Sequence, residues 1–173
     1  QTCALPIYYQ VKVDKIKKLD SRITSVAPVV GYNASLNIRN MTEPIQISGF
    51  VSKDLESFYN IKDKIYKGRT VKYSGEALIG KELSEKLGLK INDNINIITP
   101  DNRKMVIKAV GFYDFDTIKI NKILVITNFK TAQNLAGIGD AATSMQLTTS
   151  DPYNADIIAN KLKKGLNDKN LVI

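Results

Sequence analysis

Gly80–Pro100 reads GKELSEKLGLKINDNINIITP, and Lys104–Phe112 continues KMVIKAVGF. Ala77, Leu78, Leu83 and Leu87 make a partly apolar face, with Lys81, Glu82, Glu85 and Lys86 interleaved, which predicts a short helix. Gly88 follows the last helical residue, where left-handed backbone is favoured, and Leu89 is placed to fold back on the helix. Ile95, Asn96 and Ile97 alternate as a half-buried strand does. Pro100-Asp101-Asn102 gives proline the first central position of a turn before the second strand. No catalytic constellation lies in or around this helix–strand–turn–strand unit, so it points to a binding or coupling module.

Outward from this stretch, Tyr9, Val13, Ile16 and Leu19 predict an amphipathic helix over 9–20, broken at Asp20-Ser21. Residues 23–38 predict one or two strands interrupted near Pro28 and Gly31. Residues 40–44 read as a hairpin connection, and Ile45 and Ile47 as strand. Residues 53–64 predict a short helix anchored by Phe58 and Tyr59, and 70–73 a short strand between Gly68 and Gly75. Residues 119–127, apolar on both faces at 123–126, predict a central strand. A helix at 128–135, a turn at 137–140 and a strand through Met145 and Leu147 follow. Asp151 is expected to cap a last helix with Pro152 at its first position and Gly165 at its end. Residues 171–173 read as the start of a strand.

Both ends thus show a lysine-rich amphipathic helix next to a β-branched strand. That symmetry predicts an α+β fold, with a discontinuous α/β subdomain built from 8–52 and 141–173 and an inserted strand-rich subdomain, 53–140. Leu83, Leu87, Ile95, Ile97, Ile107 and Val125 are the expected core of the insertion. The end helices are expected on strands near Val29 and Met145, with the joins at 50–54 and 140–143. Residues 1–7, QTCALPI, resemble a translated sequencing adaptor and are set aside from the fold; a real apolar tail is the alternative.

Composition narrows the chemistry. The 173 residues carry 25 Lys+Arg against 17 Asp+Glu, a net charge of +8, which suits nucleic acid, anionic lipid or a plain solvated surface. Arg22, Arg39, Arg69 and Arg103 are few for a base-reading protein, and no aromatic-and-basic strand of the RNA-binding type occurs. There is no histidine, and Cys3 stands alone, which excludes an internal disulfide and a Cys/His zinc site. Gly137-x-Gly139 is too short for a dinucleotide loop, and no Walker motif is present. Asp114 and Asp116 lack a third ligand, and Ser74 lacks a base. No catalytic, cofactor-binding or metal-binding residue is assigned. The longest apolar runs fall far short of the roughly 20 residues that span a bilayer.

The order Ile79-Gly80, Leu83, Leu87-Gly88-Leu89, Asp93, Ile95-Asn96-Ile97 and Val110-Gly111-Phe112 resembles the extracytoplasmic domain of ABC transporter permeases of the lipoprotein-releasing and MacB type. Upstream, Pro44–Phe50 resembles the family's glycine-containing strand, and 151–166 its closing helix, so the likeness runs over about 10–173. Asn92 stands where the family usually has glycine, and asparagine also tolerates left-handed backbone. The resemblance makes Gly80, Leu83, Leu87, Gly88, Asp93 and Gly111 structural motif residues. It implies a porter-like subdomain with an insertion, on the extracytoplasmic side of a bacterial inner (plasma) membrane. It also implies a non-catalytic role: contact with a lipoprotein, a carrier protein or a second permease subunit, coupled to a cytoplasmic ATPase through a membrane part outside this chain. Lys161, Lys163 and Lys164 read as a solvated helix face or as a lipid-facing one. The alternative function is a soluble basic nucleic-acid-binding domain, and flanking membrane spans would separate the two.

Overall fold

In the computed structural model the described residues are 9–166, with side chains from residue 12 onward. The adaptor-like segment 1–7 and the strand expected at 171–173 lie outside them. Helix α1 is Tyr9–Leu19. Ile23–Ile38 then run as one 16-residue strand, β1, without the expected interruption. The physical reason lies in its edges. The Val29 carbonyl and the Gly31 N–H both bond Thr143 on one side, so Pro28 faces the other edge. Pairing there with β2 (Met41–Phe50) begins only at Val29↔Phe50, so no ladder bond is lost. Arg39 and Asn40 form the hairpin turn with φ of 48° and 65°, the two-residue geometry that matches strand twist. Met41–Pro44 are therefore strand, not connection.

The chain continues through α2 (Ser52–Tyr59), α3 (Ile61–Lys64), β3 (Ile65–Gly68), β4 (Glu76–Gly80) and α4 (Lys81–Lys86). Then come β5 (Asn94–Ile98), β6 (Lys104–Tyr113), α5 (Ile118–Ile123), β7 (Leu124–Asn128) and α6 (Phe129–Ala136). Last are β8 (Ser144–Thr149), a 3-10 turn (Pro152–Asn154) and α7 (Ala155–Leu166).

Several local expectations are corrected. Ala77 and Leu78 belong to β4, whose five residues are all buried, and the helix begins only at Lys81. Residues 70–73 are loop, because the Glu76 carboxylate takes the N–H groups of Lys72 and Tyr73 that a ladder would otherwise use. Leu55 and Ile61 are the buried anchors of the 53–64 region; Tyr59 packs half-buried against the same cluster, as expected, whereas Phe58 lines a cleft beside α1. Ile123 ends a helix, and the central strand starts at Leu124. Asp151 makes no side-chain cap to the backbone; it accepts from Asn154 Nδ2 at 2.8 Å and from Arg22. Gly165 lies inside α7, where a Cβ would stand 2.6 Å from Leu19 Cδ2, so the glycine lets α7 close on α1.

Strands β1, β2, β7, β4, β6 and β5 pair in that order, and β5 returns to β1, so six strands close into a ring. Two pairings, β2–β7 and β4–β6, are parallel. Ile47, Ile79, Ile95, Ile97, Ile107 and Val125 fill one face of the ring, together with Leu83 and Leu87 of the α4 region and Leu135 of α6. The opposite face of the same strands, at Leu78, Val110 and Ile126, packs under Leu55 and Ile61. Burial on both sides is why β4 and β7 read as continuous apolar runs.

A third, smaller cluster lies outside the ring. Ile16 of α1, Ile23 and Val26 of β1, and Ile158 and Leu162 of α7 pack together, flanked by Met145 of β8. Strand β8 pairs only with the first half of β1, from Ile23 to Val29. The fold is α+β, as expected, with an α/β layer formed by both ends. The packing differs from the expected division in one respect: the second half of β1 and all of β2 are ring strands sharing a core with 53–140. Hairpin pairing holds them there, so the change of packing partner falls inside β1 near Val29, and near 142–144 on the return. Val29 itself belongs to the cluster under α2 and α3, not to the end-helix cluster.

Candidate functional site

The residues that knit the end layer together converge at the turn after α1. Asp20 is buried, and its carboxylate accepts from the Arg22 backbone N–H at 3.0 Å, Nε at 3.0 Å and Nη2 at 2.9 Å. Lys161 Nζ of α7 reaches the same carboxylate at 3.2 Å, and Arg22 Nη1 reaches Asp151 at 3.2 Å. The guanidinium, the backbone N–H and then the ammonium hold the Asp20 carboxyl far below the usual carboxylate range, against the opposing effect of burial. One carboxylate thus ties together α1, β1 and α7. Lys161 is exposed yet engaged in this ion pair, and Lys163 and Lys164 are exposed as well. Sequence reasoning missed this cluster; its signal was an Asp-x-Arg placed at a helix end.

Beside this layer, a cleft of about 570 Å³ separates α1 from the start of α2. Val13, Lys17, Val26, Val51, Asp54 and Phe58 are among its lining. Burial raises the Asp54 pKa, while Lys53 and Lys17 oppose the shift. The cleft sits over the stretch of β1 where the two packing units meet.

Most of the sequence-motif residues come together around α4. Leu83 and Leu87 are buried in the ring core. Gly88 has φ of 57°, the Gly88 N–H bonds the Glu85 carbonyl, and the Leu89 N–H bonds the Ser84 carbonyl, which is the Schellman ending anticipated. Asp93 accepts from the Lys90 N–H at 2.9 Å and from Arg39 Nη2 at 3.2 Å, while Arg39 Nη1 donates to the Gly88 carbonyl. The β1–β2 hairpin tip is thereby fastened to the end of α4. Gly111 lies apart, on β6, where a Cβ would be 2.3 Å from the Arg69 carbonyl oxygen. Of these residues, the leucines pack in the core, the Asp93 carboxylate ties the hairpin to the end of α4, and Gly88 and Gly111 allow the local backbone path.

Two further polar anchors were not legible in advance. Arg69 and two backbone N–H groups hold the buried Glu76 carboxylate, lowering its pKa from 4.5 to about 2. Asn121 is fully buried: its Oδ1 accepts from the Phe115 N–H at 3.0 Å, and its Nδ2 donates to Asp114 at 2.8 Å. Asp114 also pairs with Lys81, and Asp116 with Lys64, so both loop acids are engaged within the fold. Among the described residues no group of three His, Cys, Asp or Glu could hold a metal ion.

The fold is similar to those of two solved extracytoplasmic domains of ABC transporters. The extracellular domain of YknZ, a noncanonic ABC-type transporter from Gram-positive bacteria, superposes with a TM-score of 0.62 at 13% identity, covering 93% of this chain and 85% of that one. The periplasmic region of MacB from Actinobacillus actinomycetemcomitans gives 0.60 at 15% identity, covering 94% and 73%. In sequence, the chain is 31% identical over 145 residues to the lipoprotein-releasing system transmembrane protein LolC of Buchnera aphidicola subsp. Schizaphis graminum. That match takes in 78% of this chain and 34% of LolC, so the chain spans about a third of its curated relative. No family model matches. The chain is similar in sequence to LolC, and its fold is that of the extracytoplasmic domains of ABC transporters of the MacB type, the likeness its sequence motifs implied. No described helix is long and apolar enough to cross a membrane.

Proposed function

We propose that this chain is a non-catalytic coupling domain of a lipoprotein-releasing ABC permease, held on the extracytoplasmic side of a bacterial inner membrane. In this reading the membrane spans adjoin α1 and α7, and a separate cytoplasmic ATPase drives them. The ring contacts a lipoprotein, its carrier or a second permease subunit. The observation that carries the reading is the continuity of β1. Its first half belongs to the layer where both described ends lie, and its second half is a wall of the ring. Movement imposed on α1 and α7 therefore reaches the ring through one hydrogen-bonded strand and the Asp20 cluster, without an intervening loop on that side.

The test uses the full-length protein in its own cells. A cysteine placed at exposed Tyr73 should react with a membrane-impermeant maleimide in intact spheroplasts. Depletion of the protein should leave mature lipoproteins in the inner membrane. Labelling only after lysis would overturn the topology, and unchanged lipoprotein distribution would overturn the substrate.

A further inference from the structure

Helix α5 is unusual in how it is held. Its sequence is Ile118-Lys119-Ile120-Asn121-Lys122-Ile123, and only Asn121 points inward. Ile118 is 61% exposed, Ile120 39% and Ile123 37%, while Asn121 is 0%. At about 100° per residue, Lys119, Ile120, Lys122 and Ile123 fan over the outward half of the helix, the two lysines side by side and the two isoleucines next to them, while Ile118 is exposed at the helix start; there is no acid among the six. Neither Lys119 nor Lys122 has an ion pair among the described residues. The helix is fixed instead by polar and backbone contacts: the Asn121 amide bonds Phe115 and Asp114, and Gly80 lies so close that a Cβ would stand 2.2 Å from the Asn121 carbonyl oxygen. A buried amide and a glycine thus secure a helix whose isoleucines add little to any core. Exposed isoleucines clustered this way, on a rigid mount, mark an interaction surface.

We propose that α5 is a docking knob for a partner protein that presents an apolar patch edged with acidic side chains. The unpaired lysines fix the charge of the partner, and the isoleucines its apolar centre. A protein is favoured over a bilayer by position, an argument that rests on the permease reading. Leu124, the residue after α5, pairs with Gln46, four residues along β2 from the Phe50↔Val29 join. That sets α5 about 13 Å beyond the join, on the side away from α1 and α7, where membrane spans would attach.

A photo-crosslinking residue replacing Ile120 in the full-length protein, irradiated in its own cells, should give an adduct with one protein through a segment rich in acidic and apolar residues. That protein, purified, should bind the chain at least about tenfold more weakly after Lys119→Glu/Lys122→Glu, and likewise after Ile118→Ser/Ile123→Ser. Both pairs alter exposed side chains, and circular dichroism should be unchanged; if one pair disturbs folding, the other decides. Absence of an adduct at 120 overturns the proposal, as does a partner that binds both variants as tightly as the parent. Vesicles of phosphatidylglycerol and phosphatidylethanolamine that bind the parent but not the variants would make α5 a lipid surface, and also overturn it. Should the protein prove cytosolic, the permease reading falls alone, while the adduct and the variants still decide the role of α5.

Discussion

Leu162→Ala and Leu87→Ala remove the same atoms from two differently built cores, and should loosen different parts of the chain. Leu87 is 1% exposed and lies in the ring core, among residues held by strands on several sides. Little there can move into the space left behind, so both the transfer and the cavity cost apply, and the expected destabilisation is about 3–5 kcal/mol. Leu162 is 2% exposed, but its cluster is small and is flanked by half-buried Val13, Leu19, Met145 and Leu166. An apolar groove of about 210 Å³ already opens beside it, between β8 and α7. A flexible methionine and half-buried edges let this site collapse, so the expected cost is about 2–3 kcal/mol. Native-state hydrogen exchange reads the difference directly. Leu162→Ala should speed exchange about 30- to 150-fold in α1, α7, β8 and residues 23–29 of β1, leaving β4, β6 and β7 slow. Leu87→Ala should release the ring amides. If both substitutions raise exchange uniformly over the described residues, the chain opens as one unit, and the division near Val29 is wrong.

Gly80→Ala should force the Asn121 backbone outward, because the new methyl would sit 2.2 Å from its carbonyl oxygen. A loss of about 1–3 kcal/mol in urea denaturation is expected, with faster exchange concentrated at α5. Glu76 supplies an acid-sensitive contribution. Its folded pKa of about 2 lies below the usual 4.5, so its stabilisation is complete above about pH 4.5 and is lost as pH falls toward 2. Chemical denaturation from pH 6 to pH 2.5 should show that Glu76→Gln has the flatter profile, with up to about 3 kcal/mol removed from the pH-dependent part. Parallel profiles would mean that the Arg69 pair contributes nothing measurable.

Elements with a strong local period could be read from sequence. The glycine-stopped helix at 81–88, the 94–98 strand and the 129–136 helix with its Asn128 cap and Gly137 ending all carry their signals within a few residues. Elements set by distant partners were not legible. Ala77 and Leu78 suit a helical face as well as a strand, and only burial between β6 and β7 decides for strand. Residues 119–123 read as the start of the strand that the apolar run 123–126 predicts, yet they belong to a helix whose one inward residue is Asn121. The ring itself depends on β5 meeting β1 across more than fifty residues, which no local pattern encodes. The motif around α4 was visible because it is backbone chemistry. The Asp20 cluster was not, because it draws on both ends of the chain.

The uninterrupted run of β1 also limits the kind of motion the domain can make. A pair of flexible linkers would let two bodies swing apart. Here one of the two crossings is a strand of 16 residues, about 50 Å long, and the other is pinned to it where Thr143 bonds both Val29 and Gly31. Bending across that point would break ladder bonds, whereas coiling about the strand axis changes each residue only slightly. The strand should therefore behave as a torsion rod: rotation of the end helices is transmitted to the ring as rotation, and the cleft between α1 and α2 opens or narrows with the angle of twist.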